Sequence, residues 1–182
     1  MSERRGALPR VLVERRGRLG RPGAAWDRRA GRLLRGAARQ AGLSARHELS
    51  LLLCDAAAMR RINRRWRGLD RPTDVLSFPL HRLAEGQAPP AGPVGDVVVS
   101  LSAVRAVARE ARREAARGAS AGRASGRKPK AALPMAEFET LELHRLLVHG
   151  LLHLLGYDHH RDDQALRMER QERRLLGAGP RS

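Results

Sequence analysis

Residues 47–68, "HELSLLLCDAAAMRRINRRWRG", join two kinds of structure at a single aspartate. His47 to Cys54 is an apolar run of strand length and reads as a buried strand. Asp55 has the short carboxylate that caps a helix by accepting N–H groups the first turn leaves unpaired, and Gly68 is placed to end the helix that follows. A strand that passes directly into a helix is the repeating step of α/β architecture.

The flanking segments extend the same alternation. Downstream, "LDRPTDVLSFPL" (69–80) contains two prolines, so it reads as a turn followed by an extended segment from Val75 to Phe78. His81 to Gly95 is rich in proline and glycine and reads as a loop. "GDVVVSL" (95–101) is the β-branched run of a strand buried on both faces, and Ser100 or Ser102 is placed to cap a helix reaching about Ala116. Upstream, "VLVE" (11–14) is a short strand, and "WDRRAGRLLRGAARQAG" (26–42) puts Trp26, Ala30, Leu33, Leu34 and Ala37 on one helical face, with Gly42 ending it.

Two more helices are expected, at about 136–155 and 162–176. The expected fold is therefore α/β (α+β): one domain with a small mixed sheet packed with helices, the last two carrying and following the histidine cluster described below. The domain is expected over 11–177, with a flexible basic tail at 1–10, a flexible Gly/Ser/Ala-rich insertion at 118–134 and a tail at 178–182.

A chain of 182 residues can bury a core without disulfides, and its single cysteine, Cys54, lies in an apolar run without a partner. That favours a reducing, cytoplasmic compartment and an inert thiol. The first twenty residues have a basic start but no apolar signal-peptide core, and no segment reaches membrane-spanning length. Neither secretion nor membrane insertion is expected.

The formal net charge is +17, from 36 basic residues against 19 acidic, and only Lys128 and Lys130 are lysine. Arginine's planar fork suits phosphate, so the excess points to a polyanion such as nucleic acid, bound in a salt-sensitive way. Alanine, glycine and arginine are all abundant, so a share of these arginines simply solvates helix faces. The aromatics are Trp26, Trp66, Phe78, Phe138 and Tyr157, too few for an extended base-stacking platform.

Four of the seven histidines fall within "HGLLHLLGYDHH" (149–160). His149 and His153 share one face of a helix that is apolar nearly all round and therefore buried. Gly156 is placed to stop that helix, and the following turn returns His159 over its end. Three imidazoles with an open fourth position are the arrangement of a catalytic zinc.

A lone helix-face histidine is more often a half-buried structural side chain than a ligand, but three at this spacing around a helix stop favour a metal. His160 competes with His159 for the third place, and His159 is preferred. His47, His81 and His144 fit no ligand spacing and read as surface or structural. The spacing is that of the HExxHxxGxxH zinc proteases, with Gly150 in place of the glutamate base. Peptide hydrolysis by that route is disfavoured, and a mid-helix glycine costing about 1 kcal/mol against alanine implies close backbone approach.

Together, "HGLLHLLGYDH", "RPTDVLSFPL" and "GDVVVS" resemble the YbeY family, bacterial endoribonucleases of ribosomal RNA maturation, and the likeness extends over about Leu49 to Leu176. The resemblance implies zinc on His149, His153 and His159. It implies a single-strand-directed endoribonuclease of ribosome biogenesis, acting on small-subunit ribosomal RNA and in ribosome quality control, with the small ribosomal subunit and a GTPase as partners. By position in "WRGLDRPT" it also implies a functional role for Arg67, which otherwise reads as a cation at a helix C-terminus.

Asp158 reads as orienting a histidine or forming a turn rather than as a base, and Thr73, Asp74 and Ser77 as turn-forming. Two alternatives fit the same residues: a metal-dependent hydrolase of another substrate, and a non-catalytic ribosome-associated zinc protein. Three protein ligands instead of four weigh against the latter.

Overall fold

The structure, a computed structural model, describes residues 7–19, 23–124 and 133–177. The elements are β1 (Arg10–Arg16), α1 (Gly23–Gln40), β2 (His47–Cys54), α2 (Ala56–Arg67), β3 (Val75–Pro79), β4 (Gly92–Ser100), α3 (Leu101–Ala124), α4 (Met135–Leu154) and α5 (Asp162–Gly177). The four strands form one mixed sheet in the order β1-β2-β4-β3, parallel except for β3, which runs antiparallel to β4. This order puts the two most apolar strands in the middle. The arginine-bearing β1 and the proline-bearing β3 take the edges, where unpaired backbone groups and a missing N–H are tolerated.

Side chains alternate across the sheet. Leu49, Leu51, Leu53, Val97 and Val99 join α1, α4 and α5 in the main core, while Leu76 and Val98 pack with Ala58 and Met59 of α2 on the other face. Helix α4 is the most buried, with Leu143, Leu146, Leu147, Val148, Leu151, Leu152 and Leu154 all sequestered. Among the described residues, no helix is long and apolar enough to cross a membrane.

Asp55 does more than cap its own helix. Its Oδ1 accepts from Ala58 N at 2.7 Å and its Oδ2 from Arg18 N at 2.7 Å, which pins the end of β1 to the start of α2. These bonds hold its carboxyl below the usual range, the bond from Ala58 contributing most. The serine alternatives divide: Ser100 Oγ accepts from Ala103 N at 3.4 Å at the start of α3, whereas Ser102 Oγ accepts from Ala56 N at 3.2 Å, serving α2. Cys54 is fully buried, and burial first, then the Asp55 charge, pushes its thiol up to about 12, in keeping with an inert side chain.

Two elements depart from expectation. Strand β4 begins at Gly92 rather than Gly95, because the register shifts beside Glu48 and Leu49 and the resulting bulge accommodates Pro93 within the ladder. Helix α3 continues past Ala116 to Ala124. Alanine and arginine dominate the segment and outweigh the glycines within it. Of the insertion expected at 118–134, residues 118–124 thus belong to a helix and 125–132 lie outside the described residues, as do 1–6 and 178–182 of the expected tails.

Candidate metal centre

Helix α4 brings His149 and His153 together one turn apart, their ring centroids 4.7 Å from each other and their Nε2 atoms 3.1 Å. The helix stops at Gly156, whose φ of 81° is in the left-handed region. A Cβ there would also lie 2.5 Å from the Leu83 carbonyl oxygen. Gly156 N donates to His153 O at 3.2 Å and Tyr157 N to Leu152 O at 3.0 Å, a Schellman closure.

That closure aims the Tyr157 carbonyl back at His153, whose Nδ1 lies 3.0 Å from it. Asp158 Oδ1 accepts from His159 N at 2.7 Å and turns the chain again. The His159 ring thereby comes to 5.5 Å from that of His149 and 5.1 Å from that of His153. One ligand atom from each of His149, His153 and His159 lies within 4.8 Å of the others. His160 does not join them; its Nδ1 lies 3.4 Å from Asp158 Oδ1 and the side chain is exposed.

Both helix histidines have their second nitrogen engaged. His149 Nδ1 lies 2.6 Å from Glu172 Oε1 on α5, and this bond, ahead of other causes, lowers the glutamate's pKa. Burial, followed by the adjacent imidazoles, brings His153 down to about 4, so its ring is neutral near pH 7. The tautomer with each Nδ1–H toward its oxygen leaves the two Nε2 atoms, 3.1 Å apart, as acceptors that one cation could bridge. Ligands on one tetrahedral zinc with bonds of about 2.0–2.1 Å are roughly 3.3–3.4 Å apart, so donor type and spacing both fit a metal ion.

Gly150, the expected point of close approach, is buried against the sheet. A Cβ there would lie 2.8 Å from Val97 Cγ1 and 3.1 Å from Ser77 Oγ, and the Ser77 hydroxyl donates to Gly150 O at 3.0 Å. A glutamate at this position has no room. The position is held by packing of α4 on β3 and β4.

The histidines open onto a cleft of about 510 Å³ walled by Arg67, Asp74, Ser77 and Tyr157. Arg67, the last residue of α2, is exposed and forms no ion pair with any described residue. Asp74 Oδ1 accepts from Val75 N at 2.9 Å and from the Thr73 hydroxyl at 3.1 Å, so both residues shape the turn.

The remaining histidines sit elsewhere. His47 is buried, its Nδ1 accepting from Ser44 N at 3.0 Å; His81 Nε2 lies 2.9 Å from Pro93 O; and desolvation lowers the pKa of His144. Sequence reading missed Glu172. It is one of four carboxylates on α5, and no spacing relates it to a histidine 23 positions earlier.

A small α/β domain whose most buried helix ends in three convergent imidazoles, facing a cleft with an arginine on its rim, has the form of a metal-centre protein. The family model "Endoribonuclease YbeY" matches residues 20–121 and 129–178. The chain belongs to this family. It is 42% identical over 132 residues to the endoribonuclease YbeY of Myxococcus xanthus, covering 71% of this chain and 36% of that one. The Sinorhizobium medicae protein of the same name is 41% identical over 129 residues, with 71% and 62% covered.

The Anaeromyxobacter protein is 44% identical over 132 residues, with 72% and 54% covered. The matches thus span between 36% and 62% of the length of these curated relatives. The solution structure of TM1509 from Thermotoga maritima matches with a TM-score of 0.47 and 22% identity, covering 93% of this chain and 89% of that one.

Proposed function

We propose that this protein is a zinc-dependent endoribonuclease that cuts single-stranded ribosomal RNA. Its setting is small-subunit RNA maturation and ribosome quality control in the cytoplasm, in company with the small ribosomal subunit and an associated GTPase. Family membership supports the nuclease class, since the relatives carry that name. The observation that carries the metal dependence is the pair of Nε2 atoms at 3.1 Å with both Nδ1 atoms engaged, beside His159. An all-imidazole set with room for another ligand suits zinc.

An ion held by His149, His153 and His159 would supply Lewis acidity toward a phosphoryl oxygen. The chain supplies the rest. Arg67 lines the same cleft with a guanidinium fork that can bind phosphate and offset charge developing at phosphorus. Glu172 and the Tyr157 carbonyl hold the Nδ1 sides of two imidazoles, leaving their Nε2 atoms free to take an ion. The packing of Gly150 against Val97 leaves no place for the base that a zinc protease needs, which favours a phosphodiester over a peptide substrate.

Purified protein, with zinc or with chelator, can be incubated with a single-stranded fragment of small-subunit ribosomal RNA. Chelator-sensitive cutting is expected, abolished in His153→Ala and strongly reduced in Arg67→Ala. Intact RNA with the zinc-loaded protein, or equal cutting by both variants, contradicts the reading.

A further inference from the structure

Helix α2 leaves the cleft as a ridge of arginines. Five of its twelve residues are arginine. Arg60 is clasped by Asp70 through bonds of 2.8 and 2.6 Å. Arg61, Arg64, Arg65 and Arg67 are exposed and form no salt bridge with any described residue. Arg61, Arg64 and Arg65 stand at i, i+3 and i+4 and share one face of the helix, and Arg67 carries the positive charge to the cleft wall. Unpaired cations at this density repel one another, so the ridge gains most from a polyanion.

Trp66 stands between Arg65 and Arg67 and is 64% exposed, whereas Trp26 is 6% exposed. Its indole meets the Phe78 ring edge-on at 5.8 Å, and the Arg65 guanidinium lies 5.7 Å from its centroid. The ring is thus buttressed yet uncovered. Phe78 projects from one face of β3, while Ser77 on the other face borders the histidine cleft. Trp66 and the metal centre therefore flank one edge strand, and Pro79 borders the hollow on each side of it. Glu14 and Asp96 line the hollow beyond Trp66 with a single arginine, Arg16, so the cationic excess lies on the α2 side.

We infer that Trp66 and the arginines of α2 form a single-strand RNA track leading into the cleft: Trp66 stacks one unpaired base while Arg61, Arg64 and Arg65 hold successive phosphates. This rests on the endoribonuclease reading and states how its substrate is held. One aromatic suffices for this, because the phosphate contacts carry the length of the strand and stacking marks one position beside the reacting bond. A duplex keeps its bases paired and cannot use Trp66, so the track selects single strands.

The test measures binding of a labelled, uncleavable 2′-O-methyl oligoribonucleotide by anisotropy, with cutting of the unmodified RNA assayed on the same preparations. Trp66→Ala is expected to weaken binding about 5- to 150-fold, with most of the loss restored in Trp66→Phe. The triple Arg61→Ala, Arg64→Ala, Arg65→Ala variant is expected to lower the slope of log affinity against log salt by about 2. Unchanged melting and zinc content would show that each variant is folded.

Wild-type affinity in Trp66→Ala, or an unchanged salt slope in the triple variant, overturns the track. If wild type cuts RNA while the variants bind as it does, the track alone falls. If wild type binds through these residues and cuts nothing, the track stands and the nuclease reading falls.

Discussion

Helices α2 and α4 lie on opposite faces of the sheet, and each ends close to the same edge strand, β3. Each stops at a glycine, Gly68 with φ 72° and Gly156 with φ 81°. They differ in what surrounds the rest of the helix. Helix α4 is sealed in the core, so its final turn can hold imidazoles in fixed orientations, with His153 neutral. Helix α2 buries only Ala58, Met59 and Asn63, and its final turn delivers charge to solvent. Similar helix endings thus yield a set of convergent imidazoles where the helix is buried and a cationic, solvent-facing rim where it is exposed.

The contrast breaks hardest at His153. His153→Ala is expected to abolish stoichiometric metal binding, read as zinc content after dialysis, while a substitution at exposed Arg65 leaves that content unchanged. Glu172→Gln should lower zinc affinity about 10- to 100-fold in a chelator competition, because the oxygen that fixes the His149 tautomer loses its charge. A loss below twofold would mean that α5 contributes nothing to the centre.

Gly150→Ala tests the sealed helix from within. An added methyl 2.8 Å from Val97 costs about 1–3 kcal/mol of overpacking, against a gain of up to about 1 kcal/mol in helix propensity. Net destabilisation is expected in denaturant melts. At the start of the exposed helix, Asp55→Ala should cost about 1 kcal/mol near neutral pH.

The pH dependence of that last effect has a definite sign. Asp55's folded pKa lies below its unfolded value because it accepts from Ala58 and Arg18. Its stabilisation is therefore full above the unfolded value of about 3.9, and it is lost as pH falls through the lower folded value. The gap between wild type and Asp55→Ala should close in acid melts and stay constant above about pH 5.

Much of the fold is local and could be read from the chain. Asp55 and Gly68 bracket α2, and the 149–153–159 spacing around Gly156 is a property of helix geometry that needs no tertiary knowledge. What could not be read depends on contacts between distant segments. The β1-β2-β4-β3 order arises from long-range pairing, the early start of β4 from a bulge opposite Glu48 and Leu49, and the role of Glu172 from where α5 docks. Trp66 belongs to the same group. Its position in sequence says aromatic, and only the folded chain leaves it uncovered between two arginines.

In the proposed centre three imidazoles hold one zinc and leave a position open. X-ray absorption at the zinc edge of the purified protein addresses it directly. One zinc per chain is expected, with three imidazole nitrogens at about 2.0–2.1 Å and a single further light ligand from solvent. A shell containing sulfur or a fourth protein ligand, or a protein that retains no zinc, would contradict it.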